Sequence, residues 1–127
     1  METQQISIEH LHFDHQLWMN ELRFFDDELK FYTNRLEDIA VRYSDRQIMA
    51  KVEQFQNKFI RQQEVLNELK HDIRMHEQVL AKTAESVEPL EVTHVEYHAI
   101  VQDKVDTFRK LYNELKTEYR SFVSEWL

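Results

Sequence analysis

Residues 8–43 read I-E-H-L-H-F-D-H-Q-L-W-M-N-E-L-R-F-F-D-D-E-L-K-F-Y-T-N-R-L-E-D-I-A-V-R-Y. Ile8, Leu11, His15, Trp18, Leu22, Phe25, Leu29, Tyr32, Leu36, Ile39 and Tyr43 follow one another at steps of 3 and 4 that alternate without a break. That spacing places them on one face of a helix laid along a bundle seam. His15 alone is not apolar or aromatic. A break follows at Tyr43–Arg46, where Ser44 or Asp45 can cap the next helix.

The same alternation resumes at Ile48 and runs through Val52, Phe55, Phe59, Gln62, Leu66, Leu69, Ile73, His76, Leu80 and Thr83 to Val87. It lapses at V-E-P-L, where Pro89 disfavours helix at the residue before it. A third run opens with polar residues, Glu91, His94 and His98. It continues with Val101, Val105, Phe108, Tyr112, Leu115, Tyr119, Phe122 and Trp126. The predicted helices are about 6–43, 46–85 and 91–126. Short turns between them make an all-α, antiparallel up-down-up three-helix bundle, a single domain over 1–127.

Composition narrows the chemistry. With no glycine and one proline, Gly-rich nucleotide loops are excluded and hairpins are disfavoured. With no cysteine, thiolate metal sites, disulfides and thiol catalysis are excluded. A net charge of −8 argues against binding to nucleic acid or to anionic membranes. The polar N-terminus carries no secretory signal pattern and no apolar run reaches membrane-spanning length, so a cytoplasmic protein is expected.

Register then brings the exceptions together. If Tyr43 faces Ile48 across the first turn, His15 falls opposite His76, Trp18 opposite Ile73 and Leu11 opposite Leu80. Centring the second turn near Val87 sets His76 opposite His98. His15, His76 and His98 then share one layer; Leu11, Leu80 and His94 form the next, and Ile8, Thr83 and Glu91 lie beyond. All seven histidines fall in this end of the bundle. Imidazole suits Zn, Fe, Cu and Ni, and several converging rings make a competent site. The candidate ligands are His15, His76, His94 and His98, with Glu91 as an oxygen ligand and His12 beside the seam as an extra one. Zinc or iron is the expected ion. Asp14, Asp72 and Glu77 are placed to accept the distal ring N–H. His10 and His71 face outward. Two other occupants fit the same layer: a water-filled or carboxylate-bonded polar cluster, and a haem between two histidines, which needs wider helix spacing. Gln62 with Tyr112, in the layer of Leu29, reads as a polar device that sets register.

The H-V-E-Y-H stretch (His94, His98) resembles the H-x-x-x-H element of hemerythrin-like proteins, and His98 with Asp103 is similar to their H-x-x-x-x-D spacing. Glu91-x-x-His94 is similar to half of the E-x-x-H pair of di-iron carboxylate proteins. In hemerythrin-like proteins the two motifs lie on different helices and an H-x-x-x-E motif accompanies them. Here His98 would serve both, no His has Glu four residues later, and three long helices are available. The resemblance touches about a tenth of the chain through short motifs; it agrees with metal binding in a helical bundle and gives dioxygen chemistry no support of its own.

No nucleophile–base–orienter set is visible, so the expected role is metal binding, storage or sensing unless a coordination position stays open for chemistry. The alternative is a coiled-coil-like interaction or scaffold protein whose buried histidine layer sets register or responds to pH. A second apolar line on the first helix, Phe13, Leu17, Phe24 and Phe31, is not obviously covered by a three-helix core and is the expected contact of a homodimer.

Overall fold

The computed structural model describes residues 7–85 and 92–127. It contains three helices, α1 (Ile8–Arg42), α2 (Arg46–Glu85) and α3 (Val92–Trp126), with no strand among the described residues. Helix α2 packs against both α1 and α3, in the expected three-helix bundle. Ser7 caps α1 by accepting the His10 backbone N–H at 3.1 Å, which satisfies one of the donors a helix start leaves unpaired. Tyr43, expected as the last helical residue, is instead extended and serves as the C-cap. Asp45 caps α2, its Oδ1 accepting from the Gln47 and Ile48 N–H groups. The turn around Pro89 lies outside the described residues.

The seam residues are the core. Leu11, Leu22, Leu29, Leu36, Phe59, Leu66, Ile73, Leu80, Val101, Phe108 and Tyr112 are all essentially closed to solvent. Aromatic pairs fix the register. Tyr32 stacks on Phe59 at 5.8 Å, and Phe55 meets Tyr119 edge-on at 5.6 Å. Between the parallel helices α1 and α3, Phe25 approaches Tyr112 at 4.8 Å and Tyr32 approaches Tyr119 at 5.1 Å.

Which neighbour a polar side chain meets follows from its side of the seam. If the seam positions are a and d, then e follows d and g precedes a. The α2 residues at e, Gln63 and Lys70, bond Asp26 of α1 at 2.8 and 3.0 Å. Those at g, Lys58 and Asp72, pair with Glu118 and Lys104 of α3. On α1 the g positions Glu21 and Glu28 face α3: Glu21 takes two bonds from Arg109, at 2.6 and 2.9 Å, and Glu28 meets Lys116 at 3.0 Å. An exposed pair such as Lys58–Glu118 contributes little stability, whereas Asp26–Lys70 and Glu28–Lys116 are largely shielded from water. Collectively they distinguish the two flanks of every helix and so select one handedness of the bundle over its mirror arrangement.

The expected Gln62–Tyr112 pair does not form. Tyr112 donates its hydroxyl to Glu28 at 2.5 Å, because a ring that long reaches past the core to the α1 flank. The Gln62 Oε1 is buried without a hydrogen-bond partner among the described residues. No described helix is long and apolar enough to cross a membrane.

Candidate metal centre

Near the end of the bundle that holds the start of α1, the apolar seam is interrupted by one polar layer. His15 from α1, His76 from α2 and His98 from α3 are 2%, 3% and 6% exposed, the only buried polar residues among those described. Their rings lie 5.0 Å (His15–His76), 5.0 Å (His15–His98) and 6.0 Å (His76–His98) apart, centroid to centroid. One ligand nitrogen from each falls within 4.8 Å of the others. The layer has apolar neighbours on both sides. Trp18 stacks on His98 at 4.7 Å on the side of the main core, and Leu11 and Leu80 are closed to solvent on the other.

Carboxylates set the protons. An ionised carboxylate only accepts hydrogen bonds, so a ring nitrogen that meets one carries the hydrogen. Glu77 Oε1 accepts from His15 Nδ1 at 2.8 Å, and Asp14 Oδ2 accepts from His98 Nε2 at 2.9 Å. In the neutral rings the lone pairs therefore sit on His15 Nε2 and His98 Nδ1. His15 Nε2 has His76 Nδ1 at 3.3 Å. His98 Nδ1 and His76 Nε2 are buried with no partner among the described residues. Two orphaned imidazole nitrogens in one layer are unusual, since buried polar groups are nearly always satisfied.

Burial and repulsion from neighbouring imidazoles hold His76 and His15 towards the neutral form. His76 is pushed down to about 4, first by burial and then by the neighbouring His15, His98 and His94. His15 is lowered too, chiefly by burial, with its bond to Glu77 pulling the other way. Neutral imidazole is the form that binds metal.

The remaining candidates are placed less centrally. His94 is half-buried, its ring 6.1 Å from His76 and outside the three-histidine set. His12 is exposed and turned towards Glu77, where its Nδ1 meets Oε2. Glu91 lies outside the described residues. Of the three carboxylates expected to orient the rings, Glu77 and Asp14 do so, whereas Asp72 pairs with Lys104 at 3.6 Å. The difference is the flank: Glu77 at e faces α1 and its histidines, and Asp72 at g faces α3 below them. His71 is exposed, as expected; His10 is exposed as well but approaches Asp14 at 3.6 Å. Trp18 and Tyr97 were not singled out as site residues. Trp18 is a seam neighbour of His15, and Tyr97, at a g position of α3, sets its ring edge-on to His76 at 4.9 Å.

No known protein family, curated protein or solved structure matches the chain.

Proposed function

We propose that the protein binds one divalent transition-metal ion through His15, His76 and His98, with zinc and iron the ions its ligand type suits best. The single observation that carries this reading is the pair of carboxylate–histidine contacts beside two orphaned ring nitrogens. Each carboxylate fixes a ring so that its free lone pair remains for a ligand, the arrangement by which metal-bound histidines are usually oriented. Charge agrees. With the histidines in the neutral form that binds metal, Asp14 and Glu77 carry two negative charges, which one divalent cation balances in a site largely closed to water.

Size agrees as well. Nitrogens at zinc distances of ~2.0–2.1 Å in tetrahedral geometry sit roughly 3.3 Å from one another. One nitrogen from each of the three rings lies within 4.8 Å of the others, so closing them to that spacing takes side-chain movement. His94, one helical turn before His98, is the nearest further imidazole available as a fourth ligand.

Calorimetric titration of zinc into metal-free protein purified without a histidine tag tests the reading. One equivalent should bind, and His15→Ala, His76→Ala and His98→Ala should each abolish stoichiometric binding while His71→Ala leaves it intact. Binding that survives all three substitutions would place the metal elsewhere and overturn the proposal.

A further inference from the structure

Both orienting carboxylates lie between a buried and an exposed histidine. Glu77 holds buried His15 with Oε1 and exposed His12 with Oε2. Asp14 holds buried His98 and has exposed His10 at 3.6 Å from the same oxygen. Exposure falls stepwise along each chain: side chains of His12, Glu77 and His15 are 50%, 32% and 2% accessible. Those of His10, Asp14 and His98 are 61%, 24% and 7%. Holding a buried ring in place requires one carboxylate oxygen and no second histidine, so the outer imidazoles have no role in orientation alone.

We infer that His12 with Glu77, and His10 with Asp14, are entry sites at which a divalent metal ion is first captured before it passes to the buried histidines. The inference rests on the three-histidine reading above. Along the bundle axis the buried layer has Trp18 on one side and Leu11, Leu80 and half-buried His94 on the other, a route that offers one imidazole and no carboxylate among these residues. Sideways, through the α1–α2 and α1–α3 flanks, it meets an imidazole and a carboxylate at once. That pair replaces bound water with nitrogen and oxygen ligands while the ion is still half in solvent. The carboxylate already touches the buried ring, so the next exchange needs a side-chain rotation and no opening of the helices. Imidazole paired with carboxylate suits the same borderline divalent ions as the inner set.

An entry role differs from a merely structural one in what it does to rates. A residue on the path lowers the barrier in both directions and leaves the end states alone, whereas a residue that props Glu77 or Asp14 changes affinity. The experiment is stopped-flow uptake of zinc by the metal-free full-length chain, and its release to excess chelator, for the wild type, His12→Ala, His10→Ala and the double variant. The association rate of the double variant should fall severalfold, because the captured ion loses its nitrogen ligands while the carboxylates remain. Release should slow by the same factor, leaving Kd unchanged, and His12→Asp, which restores a ligand, should recover the rate. Unchanged rates, or a weakened Kd at an unchanged association rate, would overturn the entry assignment and leave the inner site standing. Wild-type protein that takes up no zinc would overturn both.

Discussion

Acidifying the metal-free protein should destabilise it through His76, by an amount the structure sets. In the folded chain His76 is pushed down to about 4, first by burial and then by the three neighbouring imidazoles; in the unfolded chain it returns to its ordinary value of 6.5. Between these values the unfolded state takes up a proton that the folded state refuses. Unfolding therefore becomes easier as the pH falls from 6.5 towards 4, and the stability is fully present only above 6.5. A gap of about 2.5 units at ~1.4 kcal/mol per unit gives a loss of about 3 kcal/mol from this residue. His15, lowered in the same direction, adds to it. Urea unfolding at pH 7.5, 6.5, 5.5 and 4.5 in the presence of a chelator reads the slope directly, and His76→Leu separates His76 from the carboxylates that titrate lower down. The wild type should lose stability steadily below pH 6.5, with the His76→Leu slope shallower by up to ~1.4 kcal/mol per pH unit. A wild-type curve flat from 7 to 5, or the same slope in both proteins, would refute the claim that the folded chain holds His76 neutral.

Other substitutions probe other links. Glu77→Gln and Asp14→Asn should each weaken zinc binding ~10–100-fold by calorimetry, the usual effect of removing an outer partner of a metal-bound histidine. His76→Leu should abolish binding while leaving the melting temperature of the metal-free protein near that of the wild type, because it removes the orphaned Nε2 but takes away the partner of buried His15 Nε2, and each such nitrogen costs ~1–3 kcal/mol. The exposed line Phe13, Leu17, Phe24 and Phe31, each at least half accessible, is expected to pair two copies of the chain. Sedimentation velocity should then show a concentration-dependent dimer that Phe24→Asp abolishes, and a monomer at every concentration would end that expectation.

The fold was legible because one rule governs nearly every residue of it. Steps of 3 and 4 named the buried face of each helix, and a turn too short to slip, from Tyr43 to Asp45, set His15 against His76. Tyr32 against Phe59 repeats the same register further along. His98 joins that pair only with a second register choice, a turn centred near Val87. What was not legible lies one residue to either side of the seam. Glu77 and Asp72 are both acidic and both near His76, and seam spacing cannot say which turns towards the rings. That depends on which neighbour each flank faces, and so on the handedness of the bundle, which a linear pattern does not contain. With the handedness known as well as the e and g positions, the choice of Glu77 over Asp72 follows, as does the departure of Tyr112 to Glu28. Trp18 on His98 had a weaker signal, because ring stacking depends on side-chain rotation within a layer and not on register.

The most direct test of the metal centre is a crystal of the full-length protein grown with one equivalent of zinc, with anomalous data collected on either side of the zinc edge. The account predicts one strong anomalous peak inside the bundle, within ~2.0–2.1 Å of one nitrogen each from His15, His76 and His98, with Glu77 and Asp14 still on the far ring nitrogens of His15 and His98. No peak between these three rings, or zinc bound only on the surface, would contradict it.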